Sequence, residues 1–127
     1  MTVTRAHRIL VIDAEADLVA TYRRLFGRRG YEVESAGTRA GGLALIDSAS
    51  PDLVIADLEL PDGAGLDLVR AARTASTSPR VIAVSGRPAR GTREEAMAAG
   101  ASAFIAKPFS ADDLGDLVRS LLEAPRT

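Results

Sequence analysis

Asp13, Asp57, Ser85 and Lys107 each stand at or just past the end of a short apolar run: Ile9-Leu10-Val11-Ile12, Leu53-Val54-Ile55-Ala56, Val81-Ile82-Ala83-Val84 and Phe104-Ile105-Ala106. Two carboxylates brought to one rim repel, and each raises the other's pKa unless a cation joins them. Mg2+ suits such a pair, because it binds through one or two carboxylates and fills its shell with waters and phosphate oxygens. A carboxylate can also be a nucleophile and form an acyl phosphate. That chemistry asks the protein mainly for positioning and charge neutralisation. Lys107 and Mg2+ would neutralise phosphoryl oxygens, and the Ser85 hydroxyl would donate a hydrogen bond. Asp57 is the better nucleophile of the two, because the loop after it, with Pro61, Gly63 and Gly65, admits a donor. Either aspartate alone would be an ordinary turn cap after a strand. Lys107 adds weight, since it is the only lysine among 16 basic residues.

The chain must bring these groups together, and its pattern shows how. Arg8–Asp13, Tyr31–Ser35, Leu53–Asp57, Arg80–Ser85 and Ser102–Ala106 read as five strands. Four consecutive branched aliphatics at 9–12 suit a strand covered on both faces. Helical spacing separates the strands. Leu18, Tyr22, Leu25 and Phe26 mark a first helix ended by Gly27 and Gly30, and Thr38 caps a second with Leu43, Ala44 and Ile46. A third carries Leu66, Val69 and Ala72. Thr92 and Glu95 form a capping box for a fourth that stops at Gly100, and Ser110 caps a fifth with Leu114, Leu117, Val118, Leu121 and Leu122. Leu58 to Gly65 reads as a loop. Five strand–helix alternations predict an α/β fold, a doubly wound five-stranded parallel sheet with helices on both faces. Ligands of such sheets bind beyond the carboxyl ends of the strands, where the four polar groups fall.

Bulk properties narrow the function further. The 127 residues favour a single domain spanning 1–127, with a core at about 7–123. A net charge of −1 gives no field for nucleic acid or acidic membranes, and 4% aromatics are too few for base stacking. The absence of cysteine excludes disulfides and thiolate chemistry. No apolar run is long enough to span a bilayer, and residues 1–8 lack a secretory signal, so a cytoplasmic location is expected.

The segments Ile9 to Asp13, Pro51 to Leu66, Val81 to Gly86 and Gly100 to Phe109 resemble, in order and spacing, the response-regulator receiver family. The resemblance covers about residues 7–123. It implies the flavodoxin-like strand order 2-1-3-4-5, an order that is a standard illustration of the switch-point rule. It implies that Asp57 is the phosphoacceptor, that Asp13 serves the metal, and that Ser85 is the switch hydroxyl. Lys107 then pairs with the phosphate through a cis Lys107-Pro108 bond, and Phe104 is the aromatic that turns inward on activation. The implied partners are a sensor histidine kinase or phosphotransfer protein in a phosphorelay. A homodimer or an output protein would use the face of the fourth helix, fifth strand and fifth helix. No direct contact with nucleic acid or membrane is implied. The chain is then not an enzyme, beyond self-phosphorylation from small donors and slow autodephosphorylation.

One position departs from the family. The second acidic residue that usually binds Mg2+ is replaced by Ala14, whose methyl group cannot ligate a metal. Losing even an outer-shell partner costs about 10–100-fold in affinity. Glu59 is the expected compensation, so the metal set reads Asp13, Asp57 and Glu59. Glu15 is expected to start the first helix and point away. Arg87 is a candidate ion-pair partner for Glu59 across the pocket mouth. Ala64, where the family often has Asp, is not at a catalytic position. Two rival functions remain: a degenerate receiver acting as a phosphate-independent interaction module, and an aspartyl-phosphate phosphatase suggested by Asp57-Leu58-Glu59.

Overall fold

The computed structural model describes residues 5–124. In chain order the elements are β1 (Arg8–Ile12), α1 (Ala16–Arg28), β2 (Glu32–Ala36), α2 (Arg39–Ser48), β3 (Leu53–Asp57), β4 (Glu59–Leu60), β5 (Gly63–Ala64), α3 (Leu66–Thr74), β6 (Arg80–Ser85), α4 (Thr92–Ala99), β7 (Ala103–Ala106) and α5 (Ala111–Glu123). β1, β2, β3, β6 and β7 form one parallel sheet in the order β2-β1-β3-β6-β7. Among these five strands that is the 2-1-3-4-5 order the resemblance implied.

The period-two alternation of the strands divides the core in two. Leu10, Ile12, Val54, Ala56, Val81 and Ala83 face one way and pack on Ile46 of α2, Leu68, Val69 and Ala72 of α3 and Ala96 of α4. Ile9, Val11, Leu53, Ile55, Ile82 and Val84 face the other way and pack on Tyr22 and Phe26 of α1 and Leu114 and Val118 of α5. Every residue of β3 is buried, as expected for the central strand of a doubly wound sheet.

Helix ends follow the expected chemistry at three places. The Thr38 side chain accepts from the Gly41 amide, and Ser110 from the Asp113 amide. Gly100 ends α4 at φ +119°, a conformation that favours glycine. Three local expectations are corrected. Thr92 is the first residue of α4 and Gly91 the cap; the Thr92 hydroxyl turns back to accept from the Ala89 amide, which removes it from a capping box. α1 continues through Gly27 to Arg28, and the chain turns at Gly30 instead. The segment 58–65 is not a plain loop, because Glu59 and Leu60 pair antiparallel with Ala64 and Gly63.

That small hairpin is fixed from two sides. The Asp62 carboxylate accepts from the Arg39 and Ala40 amides at 2.6 and 3.0 Å, which adds a second acceptor at the start of α2. These bonds hold the Asp62 carboxyl below the usual aspartate range. Arg39 also forks onto Asp67 of α3 at 2.7 and 2.8 Å. Gly65 is required for space: a Cβ there would meet the Asp57 carbonyl oxygen at 2.0 Å. Among the described residues no helix is long and apolar enough to cross a membrane.

Candidate functional site

The carboxyl ends of β1, β3, β6 and β7 meet at one rim. Asp13 and Asp57 sit there by the same local device. Asp13 Oδ1 accepts from the Glu15 amide at 2.9 Å, and Asp57 Oδ1 accepts from the Glu59 amide at 2.9 Å. Each carboxylate is thus folded back onto the backbone two residues ahead, as Asp side chains readily do after a strand. Each Oδ2 is left to face the other element. Lys107 fills the space between them: its Nζ lies 2.8 Å from Asp13 Oδ2 and 3.2 Å from Asp57 Oδ2.

Lys107 is held in place by the sheet. Its amide donates to the Ser85 carbonyl, continuing the β6–β7 ladder by one residue. The Lys107-Pro108 bond is cis. Phe109 then stacks on Tyr22 of α1 with ring centroids 6.1 Å apart, which anchors the segment beyond the lysine.

Burial sets the electrostatics. Asp13 and Asp57 are 3% and 6% exposed. Desolvation pushes the Asp57 carboxyl above its ordinary value, although the Glu59 amide and the Lys107 ammonium pull the other way. Burial alone would lower the lysine's pKa, but bonding and attraction to Asp13 and Asp57 outweigh it and raise that value. The ammonium therefore stays charged across the neutral range.

The structure brings Asp13, Asp57 and Lys107 together, with Ser85 buried at the adjoining strand end. It does not bring Glu59 to the two aspartates. Glu59 Oε2 accepts from Ser85 Oγ at 2.8 Å, and Oε1 accepts from the Gly86 and Arg87 amides at 2.9 and 3.2 Å. Three donors at the end of β6 hold both oxygens of this carboxylate. Arg87 meets Glu59 through its backbone amide, which replaces the expected ion pair. Glu15 does not point away: its Oε1 lies 3.2 Å from Lys107 Nζ, because the cap position of α1 aims the side chain back over the rim. Phe104 is half-buried in β7 and packs against the core under α2, α3 and α4. A cavity of about 380 Å3 opens over the rim, lined by Glu15, Asp57, Glu59, Gly86, Arg87 and Lys107.

Two buried carboxylates already sharing one cation fit the chemistry of Mg2+, which needs only one or two such ligands. No three acidic or histidine side chains are arranged for a metal ion among the described residues. Asp13 and Asp57 are therefore the residues that would hold it.

Comparison with known proteins supports the assignment of the fold and adds the family. The family described as response regulator receiver domain matches residues 9–119. The chain is 39% identical over 105 residues to the transcriptional regulatory protein KdpE of Mycobacterium tuberculosis, covering 83% of this chain and 46% of that one. It spans about half the length of several curated regulators that it matches. Among solved structures, a CheY-like response regulator receiver domain protein from Methanospirillum hungatei superposes with a TM-score of 0.89 at 30% identity, covering 94% of this chain and 95% of that one. A response regulator from Burkholderia pseudomallei, solved with a phosphorylated aspartic acid, a calcium ion and citrate, superposes at 0.80 with 26% identity, covering 94% and 75%. Receiver domains generally bind Mg2+ for phosphorylation and interact with histidine kinases or other phosphodonors, and they are signalling modules rather than classical enzymes. With a family match over most of its length, the same strand order and the rim of aspartates and lysine, this chain belongs to the response regulator receiver domain family.

Proposed function

We propose that Asp57 accepts a phosphoryl group from a sensor histidine kinase, a phosphotransfer protein or a small phosphodonor, and that the modified rim then alters a partner-binding surface. The observation that carries this reading is the Lys107 ammonium, 3.2 Å from Asp57 Oδ2 and 2.8 Å from Asp13 Oδ2 at the open end of the central strand. In the transfer a carboxylate oxygen of Asp57 forms a bond to phosphorus while the bond from phosphorus to the donor nitrogen breaks. The leaving nitrogen keeps the bonding pair and takes a proton from solvent. Lys107 follows the charge from the carboxylate to the phosphoryl oxygens, and the Ser85 hydroxyl donates to one of them. Mg2+, bound through Asp13 and Asp57, would supply further charge neutralisation there. The Burkholderia pseudomallei structure with its phosphorylated aspartic acid is consistent with that assignment.

An aspartyl phosphate carries about −1.5 to −2 of charge where the carboxylate carried −1, and brings new acceptor oxygens, a change that can reweight two conformations of the strand ends. Ser85 and Lys107 join β6 and β7 to the rim, so α4, β7 and α5 are the elements whose exposed surface follows. Phe104, half-buried on β7, is the side chain proposed to move with them.

Mass spectrometry after exposure to phosphoramidate, with and without Mg2+, tests the reading. A mass gain of one phosphoryl group, stronger with Mg2+ and absent in Asp57→Asn, is expected. An unmodified chain, or equal labelling of the variant, refutes it. Ala14 favours one second reading, a module that binds its partner without phosphate; partner binding by Asp57→Asn equal to that of the phosphorylated chain would support it.

A further inference from the structure

The contacts of Glu59 are not used by the function proposed above. Its side chain lies on the solvent side of the rim, yet both oxygens are engaged. Oε2 accepts from the Ser85 hydroxyl at 2.8 Å, and Oε1 accepts from the Gly86 amide at 2.9 Å and the Arg87 amide at 3.2 Å. The Arg87 amide also reaches Ser85 Oγ at 3.1 Å, so the hydroxyl and two amides form one small cradle of donors around the carboxylate. The backbone of the same residue is tied to Asp57, because the Glu59 amide donates to Asp57 Oδ1 at 2.9 Å. Lys107 is absent from the cradle; its ammonium is spent on Asp13, Glu15 and Asp57. The rim is therefore sorted into two halves. Carboxylates surround the cation on the β1 side, and donors surround an anion on the β6 side.

A phosphoryl group on Asp57 brings oxygen acceptors to the same Ser85 hydroxyl. We propose that Glu59 is an internal anion that fills the Ser85–Gly86–Arg87 donor cradle until the phosphoryl group displaces it. The inference rests on the reading of Asp57 as the phosphoacceptor. Phosphorylation is then an exchange of one anion for another, and the turn after β6 is held by hydrogen bonds before and after. Glu59 leaves to water at little cost, since it is exposed. While in place it repels an incoming phosphodonor. Glu59 acts through its side chain as a positioning residue: that carboxylate orders the donors and touches no reacting atom.

The test compares the chain with Glu59→Ala and Glu59→Gln by amide exchange, Mg2+ titration and phosphoramidate labelling of Asp57. In Glu59→Ala the Gly86 and Arg87 amides should exchange about fivefold to tenfold faster, the effect of one lost hydrogen bond. Glu59→Gln keeps an acceptor oxygen and should fall between the two. Labelling should accelerate several-fold in both variants, because a negative charge that repels the incoming group is removed. Mg2+ affinity should stay within about twofold, because a lost metal partner would cost about tenfold or more. Equal amide exchange in the chain and in Glu59→Ala overturns the inference, and so does unchanged or slower labelling. Mg2+ binding weakened tenfold in Glu59→Ala also overturns it, by making Glu59 a metal ligand. A different failure is separable: faster amide exchange in Glu59→Ala, with no labelling of any form, refutes the phosphoacceptor reading of Asp57 and the displacement that depends on it.

Discussion

Replacing Lys107 by Met keeps the length of the side chain and removes its charge, so it isolates the ammonium's contribution to the rim. Because Asp13 Oδ2 and Asp57 Oδ2 lie 2.8 and 3.2 Å from one nitrogen, they are no more than about 6 Å apart, and two unit charges at that separation repel by about 0.7 kcal/mol at the dielectric of water and about 3 kcal/mol at an effective dielectric of about 20. Both aspartates are buried, which favours the upper end. In the unmodified chain the ammonium's attraction offsets that repulsion, and leaving two buried carboxylates unpaired should cost Lys107→Met about 3–5 kcal/mol of folding stability at pH 7. In the variant the Asp57 carboxyl, already raised by burial, loses the opposing pull of the Lys107 ammonium, so its folded pKa lies above the unfolded one. Such groups contribute stability below the unfolded value, about 3.9, and lose it as pH rises through the folded value. The deficit against the unmodified chain must then be largest at neutral pH and shrink toward about pH 3.5. Urea unfolding at the two pH values reads it directly. An equal deficit at both would refute the argument, because it would trace the loss to packing of the lysine stem and not to charge.

Three further outcomes follow from the same geometry. Asp57→Asn should be more stable than the unmodified chain at pH 7, because burial raises the Asp57 carboxyl; the gain should fade below about pH 4, as thermal melts across pH would show. Asp62→Asn should destabilise the fold at neutral pH. Bonds from the Ala40 and Arg39 amides depress the Asp62 carboxyl, so its contribution is present above the ordinary aspartate value and lost as pH falls through the folded one; urea melts should show the gap narrowing in acid. Gly65→Ala should cost about 3 kcal/mol or more, because its Cβ meets backbone atoms of Asp57 and Leu58 that cannot turn aside, and denaturant melts would measure the loss.

The fold was largely legible because each core strand is a run of branched aliphatics with a helical spacing behind it. β3 and β6 begin and end where the pattern places them, at Leu53–Asp57 and Arg80–Ser85. The meeting of Asp13, Asp57 and Lys107 was legible for the same reason: parallel strands put their carboxyl ends on one side, so a residue just past each strand needs no further information. The directions of exposed side chains were not legible. Glu15 and Glu59 each stand two residues beyond an aspartate, and the place of Glu15 at the start of a helix did not turn its side chain from the rim as expected. One turns over the rim to the lysine because it caps α1, and the other turns to β6 because three donors are waiting there. The β4–β5 pairing was hidden as well, since two-residue strands carry no period to read. Thr92 had the right spacing for a capping box, but Gly91 in the left-handed region took the cap position.

Lys107 carries the only ε-amino group in the sequence. An acylating reagent that attacks neutral amines would find that nitrogen both screened and protonated, clasped by the aspartates on either side. Its rate of modification is therefore a one-site gauge of how firmly the clasp is shut. A single added mass on the peptide containing Pro108 would report each opening, without engineering any tag into the chain.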